Sequence, residues 1–112
     1  MSFGYQVLGF GVGSSTSSPF DFTVSSNISN ANIRTLADAA GYSGSGPITM
    51  TVNSGVYVFS TSASTPALTI AEDDATVINN GKILGRGGAP GKEAIYISSS
   101  GVTVTNASGA FI

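Results

Sequence analysis

From Ile48 onward, apolar and polar residues alternate in short runs broken by asparagine and glycine. Ile48, Met50 and Val52 alternate with Thr49 and Thr51, and Val56 and Val58 alternate with Tyr57 and Phe59. A period of two carried by β-branched residues marks strands, and the Asn/Gly clusters between them supply the backbone freedom of turns. One phrase returns, as Thr51-Val52-Asn53-Ser54-Gly55, Thr76-Val77-Ile78-Asn79-Asn80-Gly81 and Thr103-Val104-Thr105-Asn106-Ala107-Ser108-Gly109. Its spacing is about 27 residues, and Ala67-Leu68-Thr69-Ile70 and Ala94-Ile95-Tyr96-Ile97 recur at the same offset. Such repeats are supersecondary units that bury their apolar faces only against one another. The expected fold is therefore mainly β, a short β-solenoid-like or sandwich-like stack of strand-turn-strand units. About two and a half coils are predicted, with Val52, Val77 and Val104 in equivalent inward positions.

Upstream of these repeats the pattern changes. Phe20, Phe22 and Val24 share one face of a half-buried strand. Residues 27–32 offer several asparagine and serine caps, Ile33, Leu36, Ala37 and Ala40 follow at helical spacing, and Gly41 supplies a stop, which predicts one short helix at about 30–40. Residues 42–47 read as a loop. At the start of the chain Phe3, Tyr5 and Val7 alternate with Gly4 and Gln6, followed by Phe10 among further glycines. Two readings stay open there: an edge strand of the same core, or an extended arm over residues 1–13 that lies on a partner. Residues 14–19, Ser-Ser-Thr-Ser-Ser-Pro, read as a linker. A single β-rich domain is expected over 20–112, with related repeats near 48–58, 68–84 and 95–112.

Composition removes most chemistry. The 112 residues include no His, no Cys and no Trp, and only 9% are charged. Without His there is no side chain whose ordinary pKa lies near 7, and without Cys there is no thiolate nucleophile or soft metal ligand. An enzyme is not expected, nor is a cofactor. The net charge of −2 leaves no cation cluster to displace phosphate counterions, so no nucleic-acid partner is expected. The apolar stretches are too short and too broken to span a bilayer, and the first ten residues lack the basic start of a signal peptide. Synthesis and assembly in a cytoplasm is the expectation.

Two segments invite a chemical reading. Gly85-Arg86-Gly87-Gly88-Ala89-Pro90-Gly91-Lys92 resembles a phosphate loop only loosely: Arg86 stands where the first glycine belongs, and Glu93 where Ser or Thr should follow the lysine. It reads instead as a glycine-rich loop ejected between repeats, whose cations Arg86 and Lys92 suit partner binding. Glu72-Asp73-Asp74 could hold a hard cation. A solvated turn, or pairing with Lys82, Arg86 or Lys92 of a neighbouring chain, is the simpler reading, so no metal site is expected.

The strand-and-cap pattern carries a resemblance. Phe22-Thr23-Val24-Ser25-Ser26-Asn27, the Asn32-Ile33-Arg34 helix ending in Ala39-Ala40-Gly41-Tyr42, Val52-Asn53-Ser54-Gly55-Val56, Pro66-Ala67-Leu68 and the run Asn79-Asn80-Gly81 to Gly87-Gly88 look like a module of tailed-bacteriophage structural proteins. That module is similar to segments of tail-fibre and minor tail proteins, and Phe3-Gly4-Tyr5 to Gly9-Phe10-Gly11 resembles the start of small virion proteins of aquatic phages. The resemblance implies a non-enzymatic virion structural protein. Taken as a whole chain, its length is expected to be too small for a fibre shaft with its own attachment and tip. A capsid decoration (cement) protein, homotrimeric and bound to the major capsid protein or another virion protein, is then the first expectation. The alternative is a short tail-fibre or receptor-binding component that contacts host-surface glycan. A polysaccharide-degrading spike lacks an evident acid/base pair. Partner contacts are expected at Phe3, Tyr5, Val7, Phe10, Arg86, Lys92 and Phe111. The exposed apolar end at Ala110, Phe111 and Ile112 is expected to drive self-association.

Overall fold

The computed structural model describes residues 19–88 and 91–112. The chain winds as a parallel β-solenoid of about three turns rather than as a sandwich. The first coil contributes β1 (Phe20–Val24), β2 (Ile28–Ser29), β3 (Ala31–Asn32) and the helix α1 (Ile33–Ala39). The second holds β4 (Ile48–Val52), β5 (Tyr57–Phe59) and β6 (Leu68–Ile70). The third holds β7 (Thr76–Asn79), β8 (Lys82–Leu84) and β9 (Ile95–Ile97), and β10 (Thr103–Asn106) opens a fourth. Every strand pairs in parallel with its counterpart one coil away, giving three sheets: β1-β4-β7-β10, β2-β5-β8 and β3-β6-β9.

The 27-residue period is real but the phrase that revealed it is misaligned by two residues. Thr49 pairs with Thr76 and Thr76 with Thr103, so Val77 lies between Met50 and Val104 while Val52 pairs with Asn79. Thr49-Met50-Thr51 holds two equivalent threonines, and a slip of two preserves which face every residue occupies. Val52 and Val77 are therefore both fully buried, as expected, though in different ranks. The offset arises at the next corner. Asn53-Ser54-Gly55-Val56 closes a turn in which the Val56 N–H donates to Asn53 O and Gly55 takes φ +82°, whereas the third coil turns within Asn79-Asn80-Gly81. Tyr57 pairs with Lys82 but Leu68 with Ile95, so the residues lost at that corner return in the loop between β8 and β9.

The core is a column of inward ranks. Met50, Val52, Val58, Leu68, Ile70, Val77 and Ile83 are wholly buried in the middle coils. A fully buried aliphatic of this kind contributes about 1.5–3 kcal/mol. Burial fades toward both ends: Phe20, Phe22 and Ile28 in the first coil are half-buried, as are Ile95 and Val104 in the last.

Helix α1 replaces a strand connection and closes one corner of the first coil. The Asn32 side-chain Oδ1 accepts from the N–H groups of Arg34 (2.9 Å) and Thr35 (3.3 Å), which satisfies two orphan donors. At the other end the Gly41 N–H donates to Asp38 O and the Tyr42 N–H to Ala37 O, with Gly41 at φ +105°, a paired closure that needs the left-handed backbone glycine tolerates. Ile33 and Ala37 are fully buried against the coils. A helix of two turns has little stability of its own. Asn32→Ala is accordingly expected to cost about 1 kcal/mol, visible as a lower thermal midpoint by circular dichroism; an unchanged midpoint would mean that packing alone holds the helix.

Candidate recognition surfaces

Parallel pairing in register stacks same-face residues of successive coils about 4.8 Å apart. On the sheet β2-β5-β8 the buried Val58 and Ile83 point inward, so their neighbours point out. Two outward ranks result. Ser29, Phe59 and Leu84 form one; Tyr57, Lys82 and Phe111 form the other, with Phe111 bridging to Lys82 beyond β8. The Lys82 Nζ lies 5.2 Å from the Tyr57 ring centroid and 5.4 Å from that of Phe111. Tyr57 and Phe111 remain 40% and 58% exposed, and Leu84 36%. Among the described residues, the ion pairs are Arg34 with Asp38 and Glu72, and Lys92 with Glu93; none takes Lys82.

Phe111 is held there by the corner below it. Asn79, fully buried, donates through Nδ2 to Phe111 O (2.8 Å), to Asn106 Oδ1 (2.9 Å) and to Gly81 O (3.2 Å), and its Oδ1 accepts the Gly81 N–H at 3.1 Å. A buried amide with both ends satisfied costs little and fixes geometry. The Ile83 N–H then donates to Phe111 O and the Phe111 N–H to Gly81 O. The aromatic ring is thus mounted on a rigid frame.

The two ends of the solenoid are the other apolar surfaces. At the last coil Ile97, paired with the buried Ile70, points into the core direction yet is 44% exposed, and β9 and β10 are edge strands. At the first coil an open cleft of about 280 Å³ lies between β1 and α1, lined by Phe22, Val24, Ile28 and Leu36 among others.

The sequence-predicted residues fall in three groups. Phe3, Tyr5, Val7 and Phe10 lie outside the described residues. Arg86 and Lys92 face each other as an antiparallel bridge, each N–H donating to the other's carbonyl at 2.9 and 2.8 Å, which closes the glycine-rich loop at its base. Gly85 is required there, because a Cβ would strike Lys92 O and the amide of Ala94. The Lys92 Nζ pairs with Glu93 at 3.0 Å. The Glu93 carboxyl is held below its ordinary value, first by its own backbone N–H and then by Lys92. Phe111 joins Tyr57 and Lys82, a grouping the sequence reading missed. Its signal was present: Tyr57, Lys82 and Phe111 each follow a turn glycine (Gly55, Gly81, Gly109) by one or two residues.

The acidic cluster does structural work. Glu72 reaches Arg34 on α1 at 3.4 Å, and Asp73 accepts the Ser100 N–H of the next coil at 2.9 Å. Arg34 also donates to Asp38 and lies 5.1 Å from the Tyr42 ring, which makes a clamp between helix and coil within the chain. No group of three potential metal ligands occurs among the described residues.

A sequence family covers this whole architecture. The profile of phage tail fibre adhesin Gp38 matches residues 19–111, which include all ten strands and the helix. The chain belongs to the phage tail fibre adhesin Gp38 family. As a Gp38-family member it is a bacteriophage virion protein, in keeping with the tail-fibre resemblance in its sequence. The match favours the tail-fibre expectation over the capsid-cement one. Comparison with curated proteins and with solved structures gives no match.

Proposed function

We infer that this Gp38-family chain is a non-enzymatic component of a phage tail fibre that contacts the host cell surface. The observation that carries the reading is the family match across the entire described solenoid. The chemistry agrees. Adhesion asks for a stiff frame and exposed contact area, and this chain has parallel sheets with aromatic side chains mounted outward and no His or Cys. The ends of the solenoid, with edge strands and half-exposed core positions, suit end-on joining to other fibre chains, since free strand edges pair readily. Weak contacts suffice, because many fibres engage a cell at once and multiply avidity.

Gold-labelled antibodies against the chain are expected to mark the ends of tail fibres in electron micrographs of the virion. The purified chain is expected to bind host cells and to slow phage adsorption in competition. Label over the head would overturn the tail-fibre reading, and failure to bind cells or compete would overturn the host-contact role.

A further inference from the structure

We propose that the Tyr57–Lys82–Phe111 rank is a binding site for acidic saccharide. This rests on the host-contact reading above and names where contact is made and with what chemistry.

This flank differs from an ordinary solvated sheet face. Outward positions of β4, β7 and β10 are threonines and one isoleucine, Thr49, Thr51, Thr76, Ile78, Thr103 and Thr105, small β-branched side chains that suit a hydrated strand surface. The β2-β5-β8 flank instead leaves two aromatic rings and Leu84 more than a third exposed. Large exposed apolar side chains gathered on one face mark a contact surface. Tyr57 and Phe111 are separated by two strand steps, roughly 10 Å, a distance that two linked pyranose rings span. A pyranose ring has one face of C–H groups, which packs on an aromatic ring, and an edge of hydroxyls, which needs polar partners.

Lys82 decides the class of sugar. Its ammonium stands between the two rings, within 5.2 and 5.4 Å of their centroids, and the ion pairs among the described residues leave it without a carboxylate. Rings can hold a cation, yet they leave its N–H donors open to a ligand oxygen. A carboxylate or phosphate on the sugar accepts from an ammonium more strongly than a neutral hydroxyl does. The chain as a whole carries net charge −2, so attraction of an anion has to come from a local cation placed among stacking surfaces. The mount is rigid, since Asn79 and Gly81 fix the backbone that carries Phe111 and Lys82. A shallow site on a convex flank binds weakly, which the repetition of fibres on a virion makes good.

The test uses the full chain on an array of purified bacterial lipopolysaccharides and acidic and neutral capsular polysaccharides, beside binding to whole host cells. The parent is expected to select acidic glycans. Tyr57→Ala with Phe111→Ala should weaken that binding at least tenfold, and Lys82→Gln should remove the preference for acidic over neutral glycans. Tyr96→Ala, an exposed aromatic on the β3-β6-β9 sheet, should leave both unchanged. Matching circular dichroism melts show that the variants are folded. The saccharide site is overturned if the flank variants bind like the parent, or if the parent binds cells but no acidic glycan. In that last case loss of cell binding after protease treatment of the cells would identify a protein receptor, leaving the adhesin reading intact. A parent that binds no cells fails the adhesin reading itself.

Discussion

Val77→Asp is expected to abolish cooperative folding. Val77 is wholly buried in the central column, paired with Met50 on one side and Val104 on the other. The nearest polar rank, Asn79, has its amide committed to Gly81, Asn106 and Phe111 and offers nothing to a carboxylate. An unpaired buried carboxylate costs several kcal/mol even after its pKa rises, against a total stability of about 5–15 kcal/mol. Thr103→Asp is the contrast: one strand over, on the outward face, that residue is exposed and should melt like the parent. Circular dichroism melts of the two variants decide the assignment of faces. A parent-like melt for Val77→Asp would mean that the inward column is misassigned, and collapse of both variants would mean that charge on either face is intolerable.

Much of this fold is legible in the chain because period, turn and cap chemistry agree. Leu68 and Ile95 recur at the offset at which they pair, and the cap Asn32 and stop Gly41 bracket a helix whose buried residues, Ile33 and Ala37, lie four apart. What escaped was register and the first coil. Two threonines in Thr49-Met50-Thr51 give equally good alignments, and only the hydrogen-bond ladder chooses between them. The first coil hides because α1 and the loop to Ile48 take the place of a strand connection: Ala31 pairs with Leu68, a longer step than the Leu68–Ile95 step that follows. It brings the solenoid to about three turns. The Tyr57–Lys82–Phe111 flank proposed for recognition is legible in the sequence only in part. Phe111 stood out as an exposed aromatic, but its closeness to Lys82 and Tyr57 depends on the shortened corner at Asn79–Gly81, and a shortened corner reads in the sequence as a mere irregularity of the repeat. In the sequence Arg86 and Lys92 read as charges in a glycine-rich loop, whereas the backbone bridge by which they close its base leaves no mark on the residue pattern.

That corner also sets the second large expected effect. Gly81→Ala should destabilise the protein by about 3 kcal/mol, at the upper end of overpacking costs, while Gly87→Ala should change stability by less than about 0.5 kcal/mol. Gly81 does not need its glycine for a positive φ; it needs it for space. A Cβ would sit 2.5 Å from Asn53 O and closer still to Val56 O, with Val52 Cγ1 at 3.2 Å. Those are backbone oxygens already in use: Asn53 O accepts the Val56 N–H and Val56 O accepts the Lys82 N–H. Neither can retreat without giving up a bond between or within coils, and Gly81 cannot retreat either, since Asn79 and Phe111 hold its N–H and carbonyl. Among the described residues no heavy atom lies within 4 Å of a Cβ built on Gly87, and its φ is not left-handed, so a methyl group there meets no clash with them. In a domain of this size a loss of about 3 kcal/mol lowers the thermal midpoint by on the order of 10–20 °C. Because the movement that relieves the clash passes through Lys82 and Phe111, Gly81→Ala should also weaken glycan binding under conditions where it is still folded. Equal melting of the two alanine variants would show that the corner yields, and the rigidity assigned to the flank would have to be given up with it.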